Sequence, residues 1–453
     1  MSTVLDRLRE ATEGSEYEGR LYLVGGIVRD RVLGLPDDED VDIVLEGDAT
    51  ELASFFFQKG IADHAPVVYP RFGTAMLGVA GRQVELVSAR SESYAPESRK
   101  PDVALATLDQ DVLRRDFTIN TLLQNLHTGE ILDLTGRGMS DIHEGIIRTP
   151  TDPEITFEDD PLRMLRAIRF AARFGFRISD ETWQAILDKA HRLEIISAER
   201  IRDEFSKMLM TPGRTKAIEM LKETRLLHQF APELVVMHGV TQNAYHLYDV
   251  WTHTMKALDS IPEDSDLTLR LAALFHDVGK PHTHSVDEHD NVHFYTHQHV
   301  GADMTRKILN RLRYPNDIIS HVVRLVAMHL RIGEYDSDWT DAAIRRLVRD
   351  AAGDLEAMIT LTQADKSAAN TAMPSVDMEE LRMRIAETQS KVDAVSVHSP
   401  LNGCDIMHLL GIPQGPLLAE IKNFLVNEIL EGRLSPGDKE TASEIVAKRY
   451  GKK

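Results

Sequence analysis

Two aspartates two positions apart, Asp40 and Asp42, close the stretch LYLVGGIVRDRVLGLPDDEDVDIVLEG at 21–47. Alternate residues of a strand point to the same side, so both carboxylates can face one point. Two carboxylates held that close repel each other unless a cation sits between them. Mg²⁺ suits such a pair, being hard, octahedral and content with few protein oxygens plus substrate phosphates. Gly25 and Gly26 lie between the apolar run Leu21–Val24 and a helix expected from about Val28. Bare backbone at that point lets N–H groups and a helix N-terminus approach a phosphate. Glu85, in the strand-like run RQVELV, can bring a third carboxylate. A glycine pair alone is usually a tight turn, and Asp-x-Asp alone a solvated strand end. Ordered as strand, glycines, helix, acidic turn and Asp-x-Asp strand, they fit two-metal phosphoryl or nucleotidyl transfer. Asp37, Asp38 and Glu39 read as turn residues.

Further polar groups follow. LRRDFTINTL (113–122) gathers Arg114, Arg115, Asp116 and Asn120. Arginine offers a two-pronged fork for phosphate and Asn a neutral donor; the plain alternative is that Asp116 pairs with Arg115 or a neighbour. In EDDPLRMLRAIRFAARFGF (158–176), Asp160, Arg163 and Arg166 are spaced three apart, a spacing that shares one helix face. Asp accepts and Arg donates, so together they can read a base edge; a surface salt bridge is the competing reading. A third constellation is made of His253, the adjacent His276-Asp277, His297, His329 and Asp365. Imidazole suits transition metals and carboxylate harder ones, so the mixed set does not fix the ion.

The elements that must position these groups fall into two kinds. Residues 20–135 alternate short β-rich runs with helical stretches such as 49–59, and 91–101 reads as a polar loop. From Phe157 strands nearly vanish: 162–173, 180–191 and 198–210 are amphipathic, the last with Ser197 as N-cap. A histidine-rich helical block runs from about 245 to 369, then a polar helix from about 376 to 392. In the tail, Leu409, Ile412, Leu417, Ile421 and Leu425 give a packing face. The expected fold is an α+β head followed by an all-helical body, divided as 1–150, 151–240, 241–370 and 371–453. The 453 residues exceed one compact core. No apolar run approaches the ~20 residues that cross a bilayer, which implies no membrane partner. The first residues resemble neither a signal nor a transit peptide. The single cysteine, Cys404, reads as a small packed residue, and a reducing cytoplasm is the expected setting. The net charge of −20 opposes nucleic acid binding overall, but 162–216 carries twelve Lys/Arg against seven Asp/Glu. A local RNA track therefore stays open.

The ordered motifs LVGGIVRD…DVDIV, LRRDFTINTL, EDDPLRMLRAIRFAARFGF and ISAERIRDEFSKML resemble those of class II tRNA nucleotidyltransferases, the CCA-adding enzymes, and of bacterial poly(A) polymerases. Thr121 departs from the alanine usual there. The resemblance implies a polymerase-β-like mixed sheet, Mg²⁺ held by Asp40 and Asp42, and triphosphate and sugar near Gly25, Gly26, Arg29 and Asp30. It implies base selection for CTP and ATP by Asp160 and Arg163 with Arg166 and Arg169 nearby. It also implies a tRNA partner, for which Arg173, Arg177, Arg200 and Arg202 are candidate contacts. The histidine block resembles the HD phosphohydrolase superfamily, with His253, His276, Asp277 and Asp365 on one divalent ion, such as Ni²⁺ or Mn²⁺. His297 and His329 would extend the site toward a second ion or the substrate. The implied activity is addition of CMP, CMP and AMP to tRNA 3′ ends, with a possible second phosphatase or phosphodiesterase activity. Only-A, only-CC and poly(A) specificities compete within the same chemistry, and a phosphohydrolase with an inactive nucleotide-binding head competes from another class. Neither the order of addition nor the oligomeric state is legible.

Overall fold

The computed structural model describes residues 3–36, 40–95, 98–242, 248–369, 377–392, 398–430 and 432–451. The acidic residues 37–39 lie outside this set. The chain forms two compact units, one of residues 1–236 with 308–314, the other of 237–307 with 315–453.

The first unit opens with α1 (Val4–Thr12), β1 (Leu21–Val24), α2 (Gly26–Val32), β2 (Val41–Leu45) and α3 (Ala49–Gln58). Then come β3 (Val67–Tyr69), β4 (Thr74–Val79), β5 (Arg82–Ser88), β6 (Arg90–Ala95), β7 (Ser98–Leu105) and α4 (Leu108–Leu113). The head closes with β8 (Leu123–Asn125), β9 (Ile131–Leu132), α5 (Gly138–Glu144) and β10 (Ile146–Ile147). Its main sheet has the strand order β3-β4-β5-β2-β1-β8-β9. Only β2 and β5 run parallel within it. Alternation sorts the two faces: Val41, Ile43 and Leu45 of β2 are buried with Val84 and Leu86 of β5, on the side covered by α3. Asp48 caps α3 by accepting from the Thr50 N–H. Asp42 and Glu85 point to the opposite, partly open face.

Of the polar run 91–101, read as a loop, 91–95 and 98–101 are strand: they belong to the antiparallel β6–β7 pair, which runs from Arg90–Leu105 to Ala95–Ser98. Paired strands satisfy each other's backbone groups whatever their side chains, and a mostly polar sequence gives no apolar alternation to read.

The helical continuation is α6 (Pro153–Asp159), α7 (Leu162–Phe174), β11 (Arg177–Ile178), α8 (Asp180–Lys189), α9 (Ala198–Leu209), α10 (Arg214–Glu223), α11 (Leu226–Phe230) and α12 (Pro232–Val235). Ser197 is at the N-cap of α9, without a side-chain cap bond. The second unit holds α13 (Val250–Asp259), α14 (Leu267–Phe275), α15 (Lys280–Thr283), the β12 (Ser285–Val286)–β13 (Val292–His293) hairpin, and the start of α16 (His297–Arg311). It continues with α17 (Asn316–Gly333), α18 (Asp341–Ala351), α19 (Leu355–Ala368) and α20 (Met378–Val392). It ends with α21 (Gly403–Leu410), α22 (Pro416–Leu430) and α23 (Lys439–Tyr450). In this tail Ile406, Leu418, Ile421 and Leu425 form the core, whereas Leu409 and Leu417 are exposed. Residue 416 starts a helix there, and its phase turns Leu418 inward instead of Leu417. Cys404 is exposed, not packed. Among the described residues no helix is long and apolar enough to cross a membrane.

Candidate active sites

In the head, Asp42 and Glu85 are direct partners across the parallel β2–β5 pair. Asp40 sits immediately before β2, so it is not itself a strand residue: the ladder begins at Val41, paired with Val84. Gly25, at the end of β1, has φ of +78° and ψ of −134°, a conformation open essentially only to glycine. A Cβ placed there would lie 3.7 Å from Asp42 Oδ2 and 4.0 Å from Arg115 Nη1. The turn, the carboxylate and one guanidinium thus meet at one point, and Gly26 begins α2 beside it.

Arg114 and Arg115 do not pair with Asp116. Both are held by Asp111 of α4, a buried carboxylate that accepts from Arg114 at 2.6 and 3.0 Å and from Arg115 at 2.8 and 3.1 Å. Sequence reasoning missed Asp111. Its signal was the spacing, three and four residues ahead of two arginines that follow directly on its helix. Asp116 instead binds Arg166 at 2.6 Å and accepts from Asn120 at 2.9 Å. Burial pushes its carboxyl up, but Arg166 and Asn120 outweigh that and hold it at about 2.

Several residues expected around the nucleotide serve the interior. Arg29 is 2% exposed, donates to Asp30 and Asn120 at 2.7 Å each, and lies over the rings of Phe170 and Phe174. Asp30 is equally buried and also takes Arg173 at 3.2 Å. Arg169 is buried against Glu204 at 2.6 Å. The expectation set them against the nucleotide; the structure shows them buried and paired. A desolvated charge is stable only when paired, and these pairs tie α2 to α7 through Asp30–Arg173 and α7 to α9 through Arg169–Glu204. Asp160 is extended, because the following Pro161 disfavours helix at that position, so it shares no helix face with Arg163. Asp160 takes Arg200 at 3.1 Å, and Arg163 donates to the Arg114 carbonyl at 2.8 Å. The first turn of α7 therefore stands over the Arg114–Asn120 segment. Of the other tRNA candidates, Arg177 is exposed, and Arg202 is tied to Asp203 and the Arg313 carbonyl.

The second constellation assembles completely. His276, His297 and His329 each donate Nδ1–H to the carbonyl three residues earlier, at 2.8, 2.7 and 2.7 Å, and His253 does so to Ala368 at 3.4 Å. Those bonds turn every Nε2 inward, the orientation that prepares imidazoles for a metal. His253 Nε2 and His276 Nε2 are 3.4 Å apart, and His297 Nε2 and His329 Nε2 are 3.3 Å apart. Asp277 belongs to both pairs. Its Oδ2 lies 3.6 and 3.2 Å from the first, and its Oδ1 lies 3.5 and 3.9 Å from the second. Asp365 closes on His253 at 2.8 Å. Although Lys280 Nζ is 2.7 Å away, the buried Asp277 Oδ2 has no aligned hydrogen bond. Burial opposes charge on His276, yet Asp277 and Asp365 raise it to about 10. Burial and His276 hold His329 down near 4. Nε2 atoms turned toward two carboxylates make a donor set that a divalent ion fits, displacing the proton from His276 as it binds. Gly279 makes the packing possible, since a Cβ there would lie 2.3 Å from the His297 carbonyl oxygen on α16. A cavity of about 410 Å³ opens on this cluster, its wall including Lys280, Tyr295 and Lys366.

Family models match in the same order. The Poly A polymerase head domain covers 21–148, the probable RNA and SrmB-binding site of polymerase A covers 175–237, and the HD domain covers 243–370. The chain is 33% identical over 334 residues to the A-adding tRNA nucleotidyltransferase of Deinococcus radiodurans, covering 70% of this chain and 74% of that one. It is 30% identical over 435 residues to the CC-adding tRNA nucleotidyltransferase of Thermus thermophilus, covering 93% and 92%. The chain belongs to the tRNA nucleotidyltransferase family. It is also 34% identical over 322 residues to the Multifunctional CCA protein of Halorhodospira halophila, covering 68% and 73%. A solved structure of the Bacillus stearothermophilus CCA-adding enzyme with CTP shares the fold at a TM-score of 0.67 and 22% identity, covering 99% of this chain and 98% of that one. The chain is thus a nucleotidyltransferase with an appended HD domain, and both domain types imply dependence on divalent metal.

Proposed function

We propose that this nucleotidyltransferase adds CMP, CMP and AMP, taken from CTP and ATP, to the 3′ end of tRNA. The observation that carries the chemistry is the Asp42–Glu85 pair set directly beneath the Gly25 turn, with Arg115 beside it. Asp40 and Asp42 would hold Mg²⁺, which when bound would neutralise phosphate charge. Gly25 and Gly26 would admit the triphosphate against backbone, and Arg115 would bind its oxygens. The 3′-oxygen of the RNA displaces pyrophosphate from the α-phosphorus and loses its proton. Glu85, partly exposed beside Asp42, would receive that proton. Asp160 and Arg163, an acceptor and a donor at the start of α7, would read the incoming base edge. Arg177 and Arg200 are candidate tRNA contacts, and the cytoplasm is the proposed setting.

The decisive experiment gives the protein tRNA lacking its 3′ CCA, and tRNA ending in CC, with each labelled nucleotide alone. Two cytidylates on the first and one adenylate on the second support the reading. Adenylate addition alone would assign the narrower activity named in the Deinococcus relative. Cytidylate alone would assign that of the Thermus relative, and no addition with Mg²⁺ present would overturn the proposal.

We further propose that the six-residue histidine–aspartate cluster is a phosphohydrolase centre, served by Ni²⁺ or Mn²⁺. Lys280 and Lys366 in the cavity wall suit an anionic phosphoester. Hydrolysis of a phosphomonoester or cyclic phosphodiester, dependent on added Mn²⁺ or Ni²⁺ and lost in His276→Ala, tests it. An active His276→Ala protein would remove the assignment.

A further inference from the structure

Strand β3 is an oddity that neither proposed centre uses. It lies at the edge of the main sheet, and all three of its residues are exposed: Val67 at 50%, Val68 at 42% and Tyr69 at 44%. Edge strands are ordinarily protected by charge, proline or cover, because an apolar unpaired edge invites association. Here three consecutive apolar side chains face outward.

The register connects this edge to the head's carboxylates. Val67 pairs with Met76, Met76 with Glu85, and Glu85 with Asp42. Residues directly opposite one another share a face, so Asp42, Glu85, Met76 and Val67 form one row across four strands. Tyr69, two residues beyond Val67, is on that face too. Val68 is on the other, in the row of Ala75, Leu86 and Ile43. Adjacent strands are about 4.8 Å apart, so the row runs about 14 Å from Asp42 to the edge.

The direction of the row decides what it would carry. The triphosphate side of Asp42 is the β1 side, where the Gly25 turn and Arg115 stand. In an in-line displacement the attacking oxygen approaches from the side opposite the leaving pyrophosphate. For Asp42 that opposite side is β5, β4 and β3. Arg71, exposed just after β3, adds a cation for a phosphodiester. Aromatic and apolar side chains next to a cation are what a single-stranded RNA end requires, because any base can stack on them.

We infer that the Met76–Val67–Tyr69 stripe is the platform on which the last bases of the RNA substrate lie while their terminal hydroxyl reaches Asp42 and Glu85. The inference rests on the proposed addition to an RNA 3′ end. The terminal nucleoside sits over Glu85 and Met76, and the preceding base on Val67 and Tyr69.

The test is steady-state cytidylate addition by wild type, by the double variant Val67→Ser/Tyr69→Ala and by Val68→Ala, with KM measured separately for CTP and for tRNA lacking its CCA. Exposed positions leave folding intact, which a thermal melt of each variant verifies. Losing base stacking costs about 1–3 kcal/mol per base, so KM for tRNA rises about 5- to 150-fold in the double variant. KM for CTP stays unchanged, and Val68→Ala behaves as wild type. An unchanged KM for tRNA overturns the inference, as does an equal rise for CTP, or Val68→Ala matching the double variant. A wild-type protein that adds nothing to tRNA overturns the proposed function, and the inference with it.

Discussion

Arg29 is where sequence and structure assign one residue to two jobs, and Arg29→Met separates them. Methionine keeps the chain length and contact with Phe170 and Phe174 but removes the cation. Asp30 then loses the donor at 2.7 Å, and the Asn120 carbonyl oxygen loses a second at 2.7 Å, in a region where Arg29 and Asp30 are each 2% exposed. Removing one partner of a buried pair costs about 3–5 kcal/mol, because the other charge is left desolvated. Arg173 remains on Asp30 at 3.2 Å, which places the expected loss near the lower end, about 3 kcal/mol. The assay is urea unfolding of wild type and variant by circular dichroism, paired with KM for CTP under conditions where both are folded. The expected result is that stability loss, with KM for CTP little changed. A variant as stable as wild type, but with a KM for CTP raised tenfold or more, would refute the reasoning and return Arg29 to the triphosphate.

Asp116 gives a pH signature: its carboxyl is about 2 in the fold against an ordinary 3.8, so it contributes stability above pH 4 that is lost as pH falls toward 2. The full difference is about 2 kcal/mol, about half of it already lost at pH 3, so the gap between wild type and Asp116→Asn in urea unfolding should shrink from pH 7 to pH 3; a constant gap would contradict this. Gly279→Ala, whose new methyl would meet the His297 carbonyl at 2.3 Å, should lower Mn²⁺ uptake measured by calorimetry while leaving nucleotide addition intact. Unchanged uptake would show that the turn shifts without disturbing the cluster. Asp42→Ala should abolish nucleotide addition and spare phosphoester hydrolysis, and His276→Ala should do the reverse; loss of both activities from one substitution would break the two-centre reading.

The histidine cluster was legible because imidazole and carboxylate are uncommon on apolar helices, and each member stood beside recognisable apolar turns. The β6–β7 pairing was not, since a mostly polar sequence carries no apolar alternation to read. The partner of Arg114 and Arg115 was not legible for a different reason. Asp116 adjoins them in sequence, but neighbours along a chain point apart, whereas Asp111 lies one helical turn back and beneath both.

Sequence alone picked out the candidate groups: the Gly25-Gly26 turn, Asp40 and Asp42, and the six histidines and aspartates from His253 to Asp365 that the fold brings together. Residue type and local spacing suffice for that, because a strand or helix fixes where near neighbours point. Only the tertiary structure decided which charged residues are buried and paired and which remain at the surface. Arg29 and Arg169 look from sequence like Arg115, but they are buried, with Arg29 on partners 1 and 91 residues away and Arg169 on one 35 residues away, while Arg115 stays partly exposed. Burial is a property of the whole packed unit, and no local pattern encodes it.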